Sequence, residues 1–532
     1  MEVRGVSGRR WVFLFEQKVV PKELESRLGK VLAQLLVNRG LEPESFLNAA
    51  VPPAESFNEL TRAAEFLLSA VKKGKRILLY GDYDVDGITG TAVLYRVLKA
   101  LGGRVYPVLP NRQTGYGLSR QIVKVFESYG EVLVTVDNGT SAVEEIDRSR
   151  LEVLVLDHHN APSRTPERAL LVNPKLLPED SPFKHLSSSA LSFLLASLII
   201  RETGTELDEE ELLGLAALGV LADYVPLKDA NRAIALKGLK TLQRLLVKEG
   251  KLPGLRSLME LAGLERVTSS RVYFDLAPRL NAPGRISRPQ VSFKLLLAKE
   301  EKEARQLAEQ VEKLNDRRRR LTRKTFREAI KLARRERGEP FIVLWKEGWH
   351  PGVLGIVAGR LSSELGKPVA LFSVSGKKAV GSLRSSSEEL LFEKIQTLSR
   401  MFLKWGGHDK AMGLTLRADD LPLFKERVNE LFSSAAQAEP TLEVDLPLPL
   451  NELSGVLEEL ERLEPYGEAN PYPAFVDRVQ EVSESGGELR VNRVRVVCYD
   501  RRVRSALAKG KRFVYSVRDG TVVLEDVEDG AL

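Results

Sequence analysis

Short apolar runs alternate with helical patterns between residues 76 and 157, and this alternation limits the possible fold more than any other feature of the chain. The runs are RILLYG at 76–81, RVYPVLP at 104–110, EVLVTVD at 131–137 and LEVLVLD at 151–157. The patterns between them predict helices near 88–101, 118–129 and 141–149. Because strands that alternate with helices form a mostly parallel sheet covered on both faces, the sequence predicts an α/β domain here.

Acidic side chains follow three of these runs at the point where each predicted strand ends. They are Asp82, Asp84 and Asp86 after the first run, Asp137 at the end of the third, and Asp157 at the end of the fourth, followed by His158 and His159. A further apolar stretch, LAALGVLADYVPL, carries Asp223. Ligands of open α/β sheets bind outside the carboxyl ends of the strands, so these groups converge on one edge if the strands are neighbours.

The mixture of carboxylates and imidazoles indicates divalent metal ions. So many carboxylates do not stay ionised together without a counter-charge, which arginines or cations supply. Oxygen ligands suit Mg²⁺ or Mn²⁺, and the imidazoles favour Mn²⁺. The number of ligands is sufficient for two ions.

Pattern and composition divide the 532 residues into five predicted segments. A helical pattern over 299–337 is longer than ordinary globular helices and indicates a connector, and the small-residue stretch SSAAQAEP at 433–440 indicates a linker. The segments are an N-terminal segment (1–60), a catalytic α/β domain (61–298), the connector helix (299–338), a smaller α/β domain (339–433) and a strand-rich domain (434–532) for which a small, OB-like β-barrel fits.

Charge and composition narrow the function classes. The net charge of +7 and the pI of about 9.2 suit a polyanionic partner. The densest basic stretch, at 315–337, is equally compatible with a solvated helix face. The single cysteine, Cys498, excludes an internal disulfide framework and a cysteine-based zinc site, and it favours a reducing, cytoplasmic location. No run approaches the ~20 apolar residues of a membrane helix.

Four motifs carry a family resemblance. GDYDVDGITGTAVL, VTVDNGTSA, LDHH and ALGVLADYVPL resemble, in this order, the motifs of the DHH phosphoesterase superfamily, and the Asp-Tyr-Asp-Val-Asp form resembles its RecJ branch. LAPRLNAPGRI (276–286) resembles the end of the DHH domain, and LEPYGEANPYPAF (463–475) resembles the start of the OB-fold segment. Three stretches resemble the DHHA1 domain: GWHPGVLGIVAGRL (348–361), GSLRSS (381–386) and WGGHDKAMGLTL (405–416).

The resemblance implies a metal-dependent 5′→3′ exonuclease that hydrolyses single-stranded DNA to 5′-mononucleotides in repair and recombination. It implies two ions of Mn²⁺ or Mg²⁺, with ligands Asp84, Asp86, Asp137, His158 and Asp223, and with Asp82 as a ligand or its neighbour. Asp137 would bridge the ions. His159 would contact the phosphate and steady the transition state, and Asp157 would orient the histidines.

The resemblance also implies contacts to the DNA strand. Arg112, Ser382 and Arg384, from two domains, would hold the terminal 5′ phosphate as a wall, while Arg279 and Asn281 would hold the backbone near the scissile bond. Gly406, Gly407 and His408 form a glycine-rich turn where backbone approaches phosphate closely. For each arginine alone, a salt bridge is an equally good explanation. The sequence leaves open whether Trp349, His350 and Tyr116 stack a base or pack the domain.

Other functions and partners remain open at this level. A DHH-family phosphoesterase acting on short oligonucleotides or small nucleotides is the alternative, although such relatives are shorter, and an inactive scaffold would have lost ligands. The resemblance implies a single-strand-binding protein and a RecQ-like helicase as partners, and no membrane. SSSALSF (187–193) replaces a usual glycine-rich stretch, which leaves the local loop shape undetermined.

Overall fold

The computed structural model describes residues 3–15, 18–110, 117–247, 251–336, 338–385, 391–408, 410–433 and 440–530. Two compact units account for the chain: Met1–Glu312 together with Thr441–Leu532, and Lys313–Pro440. Within the ranges described, no helix combines the length and apolarity needed to cross a bilayer.

The N-terminal segment packs against the C-terminal region of the same unit. Its elements are β1 (Val3–Arg4), β2 (Arg10–Phe13), α1 (Lys22–Leu28), α2 (Lys30–Arg39) and α3 (Pro43–Leu47). Trp11 of β2 is buried with Val444 and Val514. The leucines of α2 lie in one apolar cluster with Phe475 and Tyr515. Residues at the two ends of the chain therefore share a core.

The first α/β domain is built on a five-stranded parallel sheet. Its elements are α4 (Asn58–Lys72), β3 (Arg76–Gly81), α5 (Val85–Ala100), β4 (Arg104–Val108), α6 (Arg120–Tyr129), β5 (Val132–Val136), α7 (Val143–Asp147), β6 (Glu152–Leu156) and β7 (Ala169–Val172). The strand order is β4-β3-β5-β6-β7. Every residue of β5 is buried, because helices cover both faces of the sheet. The predicted parallel α/β sheet is confirmed.

A helical region completes this unit around the sheet. It comprises α8 (Ser188–Thr203), α9 (Glu209–Ala222), α10 (Asp229–Val247), α11 (Pro253–Leu261), α12 (Ser269–Arg271), a π-helical turn at Val272–Leu276, α13 (Ala277–Ile286), α14 (Gln290–Leu297) and the start of the long α15 (Glu301–Ala333), which belongs to this unit as far as Glu312. Glycines allow three of these helices to approach closely. A Cβ on Gly90 of α5 would lie 2.9 Å from Ser192 Oγ of α8, and one on Gly219 of α9 would lie 2.2 Å from Ser189 Oγ.

The second unit begins at Lys313, within α15, and continues into a smaller α/β domain. Its elements are β8 (Ile342–Glu347), α16 (Pro351–Leu365), β9 (Val369–Ser375), β10 (Lys378–Arg384), α17 (Leu391–Gln396), β11 (Lys404–His408), β12 (Ala411–Arg417) and α18 (Leu421–Ser433). The strand order is β11-β12-β10-β9-β8, and the pair β8–β9 is parallel while the other pairs are antiparallel.

The C-terminal domain is strand-rich, as the sequence predicts. Its elements are β13 (Thr441–Val444), β14 (Leu446–Pro447), α19 (Leu457–Glu461), β15 (Ala474–Arg478), β16 (Val482–Ser485), β17 (Glu488–Val491), β18 (Val494–Cys498), α20 (Arg501–Ala506), β19 (Arg512–Arg518) and β20 (Thr521–Val527). Seven strands form one mixed sheet in the order β14-β15-β19-β20-β18-β17-β16. The remaining strand, β13, pairs in parallel with β2.

One buried arginine joins three parts of the first unit. Arg232 of α10 donates to the carbonyl of Phe46 at 2.7 Å and to the carbonyls of residues 463–465 at 3.2–3.4 Å. Its guanidinium also lies 3.4 Å from the centre of the Phe46 ring. The first α/β domain with its helices, the N-terminal segment and the C-terminal domain therefore meet at this side chain.

Candidate metal centre

The carboxyl ends of β3, β5 and β6 carry the acidic residues of the site. Asp82 follows β3, Asp137 follows β5 and Asp157 follows β6, and all three side chains are buried. Because these strands are adjacent and parallel, their ends meet at one edge of the sheet. Asp137 has a φ of 66°, a left-handed backbone conformation that aspartate adopts more readily than most residues.

Helix ends bring further carboxylates to the same edge. Asp84 caps the N-terminus of α5, where its side chain accepts from the amide of Gly87 at 3.2 Å. Asp86 lies buried in the first turn of α5, and Asp223 caps the C-terminus of α9. The close packing of α5, α8 and α9 fixes these ends relative to each other.

His158 lies at the centre of the cluster. Its Nε2 atom is 3.2 Å from Asp137 Oδ1, 3.3 Å from Asp223 Oδ2 and 3.8 Å from Asp86 Oδ2. Three sets of side chains offer ligand atoms within 4.8 Å of one another: Asp82–Asp84–Asp137, Asp86–His158–Asp223 and Asp137–His158–His159. The structure thus brings together all six residues that the sequence proposes as ligands, and Asp137 belongs to two of the three sets.

The cluster concentrates negative charge in a buried place. Burial raises the pKa of Asp137 well above its ordinary value, and the charges of Asp84 and Asp86 raise it further. Burial likewise raises the pKa of Asp223, with an added contribution from Asp86. Burial and the charge of His159 lower the pKa of His158 to about 4. The raised pKa values of Asp137 and Asp223 reflect the crowding of carboxylates in a buried place.

Asp157 has hydrogen bonds at both of its oxygens. Oδ1 accepts from the amides of His158 and His159 at 2.9 and 3.2 Å and lies 2.7 Å from His159 Nδ1, while Oδ2 accepts from the amide of Thr140 at 2.9 Å. Burial would raise the pKa of Asp157, but the charge of His159 and these hydrogen bonds hold it well below its usual range. Burial lowers the pKa of His159, but Asp157 outweighs it and raises that pKa to about 9.

The N-terminus of α8 holds two of the aspartates, a contact that the sequence did not predict. The amides of Ser188 and Ser189 donate to the two oxygens of Asp86 at 2.8 and 3.0 Å. The Ser188 hydroxyl donates to Asp137 Oδ1 at 3.3 Å. A run of serines before a helical pattern is an N-cap signal, so the sequence does indicate that a helix begins here.

The helix α13 lies directly behind the loop of Asp82 and Asp84. A Cβ on Gly284 would lie 2.6 Å from the carbonyl oxygen of Tyr83, so glycine permits this contact. Asn281 belongs to the same helix. Arg279, proposed as a contact to the DNA backbone, is buried and pairs with Glu312 at 2.6 Å and with Asp275 at 3.5 Å. It would have to exchange these partners to bind a phosphate.

The proposed phosphate contacts of the second unit lie on its sheet. Ser382 and Arg384 are neighbours on β10, where Arg384 Nη1 donates to Ser382 Oγ at 3.1 Å. A Cβ on Gly355 of α16 would lie 2.9 Å from Arg384 Nη2, so this helix covers the pair closely. The glycine-rich turn predicted at Gly406 and Gly407 is wrong, because these residues are paired within strand β11, whose last residue is His408. Arg112, Tyr116 and the His408 side chain lie outside the described residues.

Two aromatic residues that the sequence left open have structural contacts. Trp349 is buried, and its indole donates to Glu328 Oε2 at 3.0 Å. His350 caps the N-terminus of α16, where its Nδ1 accepts from the amide of Gly352 at 3.1 Å. Trp349 therefore packs the second unit, and His350 begins its helix.

The donor set fits divalent cations with a preference for oxygen. Carboxylate oxygens dominate and one imidazole lies among them, which is the chemistry of Mg²⁺ and Mn²⁺ sites. The buried His158 Nε2 faces three carboxylate oxygens yet has no hydrogen-bond partner among the described residues. A cation in the cluster would satisfy this atom and offset the carboxylate charges.

Two family models match the chain: the DHH family, N-terminal domain, over residues 76–220 and the DHHA1 domain over 338–434. The single-stranded-DNA-specific exonuclease RecJ of Bacillus subtilis (strain 168) is 33% identical over 491 residues, which are 88% of this chain and 61% of that protein. RecJ of Dickeya dadantii (strain 3937) is 34% identical over 492 residues, 86% of this chain and 84% of that protein. The crystal structure of RecJ from Thermus thermophilus in complex with Mn²⁺ has a TM-score of 0.83 at 30% identity, covering 98% of this chain and 80% of that chain.

Proposed function

Since this chain belongs to the RecJ family, we propose that it is a metal-dependent exonuclease that hydrolyses the phosphodiester bonds of single-stranded DNA. The observation that carries the proposal is the cluster of Asp137, His158 and their neighbouring carboxylates at the carboxyl ends of β3, β5 and β6. The family also supports a 5′→3′ direction, the release of 5′-mononucleotides and a role in DNA repair and recombination. The relatives' names and the manganese complex support the substrate and the metal.

The residues divide into two overlapping ligand sets. Asp82 and Asp84 with Asp137 would hold one ion, and Asp86, His158 and Asp223 would hold a second beside Asp137. Two bound divalent ions, Mn²⁺ or Mg²⁺, would supply activation of the attacking water and neutralisation of charge on the scissile phosphate. Asp137, which belongs to two sets, is the shared ligand in this proposal.

His159 acts on the phosphate through its positive charge. Its hydrogen-bonded partner Asp157 keeps the imidazole protonated at neutral pH and fixes its ring through Nδ1. A protonated imidazole donates to a phosphate oxygen and stabilises the charge that develops there in the transition state. Asp157 accepts from the amides of His158 and His159 and lies 2.7 Å from His159 Nδ1, so in this proposal it orients the two histidines and is not a ligand.

Contacts to the strand outside the metal centre remain predictions from the family. They comprise Arg112, Ser382 and Arg384 for the 5′ phosphate, Asn281 with Arg279 for the backbone, and Gly406, Gly407 and His408 of β11. The single-strand-binding protein, the RecQ-like helicase and the cytoplasmic location are likewise predictions.

The test is degradation of strands labelled at the 5′ or the 3′ end, with Mn²⁺, Mg²⁺ or a chelator. We expect mononucleotides from single strands with either ion, cleavage from the 5′ end, and no cleavage of blunt duplex or in chelator. Asp137→Ala should reduce hydrolysis below detection while circular dichroism stays unchanged, and the exposed Asp180→Ala is the matched control. Hydrolysis confined to dinucleotides or smaller substrates would instead support the small-substrate phosphoesterase.

A further inference from the structure

The second half of α15 presents a continuous basic stripe. Each member has another member three or four residues away, and all six share one face of the helix over an arc of about 120°. All are exposed: Arg317, Arg320, Arg323, Lys324, Arg327 and Lys331. We call these six residues the basic stripe, and we propose that it binds the phosphate backbone of DNA outside the metal centre. This proposal rests on the proposed function for the identity of the polyanion.

The stripe has no internal counter-charge. None of the six cations forms an ion pair with a carboxylate of the described residues. Glu328, on the same stretch, is committed to Lys346 at 2.8 Å and to the indole of Trp349 at 3.0 Å. Asp316 precedes the stripe and lies one turn from Arg320 without pairing with it. The positive charges therefore remain available to a partner.

The first half of the same helix shows what a merely solvated face looks like. There, acids and bases alternate, and exposed pairs form: Arg305 lies 3.2 Å from Glu309 and 3.7 Å from Glu260. Like charges three or four residues apart destabilise a helix, and the second half contains several such pairs. Solubility does not require this arrangement, because the alternating pattern achieves it without the repulsion.

The dimensions and chemistry of the stripe favour nucleic acid. From Arg317 to Lys331 the helix rises about 21 Å, enough for about six phosphates of one strand at B-form spacing. Four of the six residues are arginines, whose planar fork matches phosphate oxygens. No aromatic side chain belongs to the stripe, and the neighbouring Phe326 is covered by Arg360, whose guanidinium lies 3.9 Å from the ring centre. The stripe can therefore recognise the backbone but does not stack bases.

The test is DNA binding by the full chain in chelator, so that hydrolysis plays no part. The stripe variant replaces Arg320, Lys324 and Arg327 with glutamine, and the control variant makes the same change at the exposed Lys72, Lys73 and Lys240. Fluorescence anisotropy with a 40-nucleotide single strand and a 40-base-pair duplex follows the affinity over a range of salt concentrations.

We expect the stripe variant to bind both DNAs roughly 10- to 50-fold more weakly than the parent at 0.15 M salt. The slope of log affinity against log salt concentration for the single strand should become shallower by about 2, because each of the three lost phosphate contacts contributes ~0.7. In the control variant, the losses of DNA affinity and of salt slope should each be less than half of those in the stripe variant. Equal losses of DNA affinity in the two variants would overturn the proposal, and so would a loss of affinity confined to single strands. The proposal would also fail if the parent protein bound poly-glutamate more tightly than DNA and the stripe variant lost that binding. Hydrolysis by the parent protein, assayed separately, tests the proposed function, so the two can fail independently.

Discussion

Replacing Ser188 with alanine tests whether the N-terminus of α8 organises the metal centre. The substitution removes only the hydroxyl that donates to Asp137 Oδ1 at 3.3 Å, and it leaves the backbone amides on Asp86 in place. Ser188 is fully buried, so water does not readily replace the lost donor. Asp137 would then lose one of the contacts that fix its carboxylate between the two ligand sets.

The expected loss follows from the strength of that hydrogen bond. Hydrogen bonds to charged groups contribute about 1.5–3 kcal/mol, and an oxygen–oxygen distance of 3.3 Å is long for such a bond, which places this one at the lower end. A loss of about 1.4 kcal/mol is a tenfold change in a dissociation constant. We therefore expect Mn²⁺ to bind Ser188→Ala about tenfold more weakly than it binds the parent.

Isothermal titration of the metal-free protein with Mn²⁺, together with the electron paramagnetic resonance signal of unbound Mn²⁺, measures the affinity without any hydrolysis. Ser192→Ala is the matched control, since this buried serine of the same helix donates to the Ser188 carbonyl at 2.8 Å and not to an aspartate. An affinity of Ser188→Ala within twofold of the parent would refute the argument, and so would an equal loss in Ser192→Ala.

Two further predictions concern stability. His159 has a folded-state pKa of about 9, above its ordinary 6.5, so its pairing with Asp157 stabilises the metal-free protein fully below pH 6.5, and this contribution is lost as the pH rises through 9. We expect thermal denaturation in chelator to show that the free energy of unfolding falls by about 3 kcal/mol at most between pH 6.5 and 9. Asp157→Asn should make the free energy of unfolding nearly independent of pH in this range. A pH profile of the parent as flat as that of the variant would contradict the assignment. Arg232→Leu should lower the free energy of unfolding in urea by about 2–5 kcal/mol, since several backbone carbonyls lose their donor. The control Arg244→Leu removes an ion pair exposed to solvent and should lower the free energy of unfolding by less than about 1 kcal/mol. Equal losses of stability in the two variants would show that Arg232 does not join the three parts of the unit.

The sequence predicts the parallel sheet and the convergence of the acidic residues because both follow from local pattern. Each central strand is a short apolar run, since it is buried on both faces, and each run ends in an aspartate. Once β3, β5 and β6 are taken as parallel neighbours, their ends must meet. The 3.2 Å separation between His158 and Asp137 is the outcome of that topology.

Local patterns do not predict which segments that are far apart in the sequence pair with each other. The parallel pairing of β2 with β13 joins Arg10 to Thr441, and no periodicity in either segment indicates the other. Arg279 shows the same difficulty at the level of one side chain. Its motif predicts a DNA contact, but the carboxylate of Glu312, supplied by α15, lies 2.6 Å from it. Such pairs depend on how elements return to each other, which a single sequence does not reveal.

The aspartates of the site divide into two kinds according to the donors that surround them. Asp86 and Asp157 have both oxygens held by backbone amides, so the protein itself fixes their positions before any ion binds. Asp137 and Asp223 have fewer donors, and burial with neighbouring charge raises their pKa values. Asp137 and Asp223 lie 3.2 and 3.3 Å from His158 Nε2, so the two carboxyl groups with raised pKa values face the same buried imidazole. A cation in the cluster would favour the ionised forms of Asp137 and Asp223, while the backbone amides hold Asp86 and Asp157 with or without it.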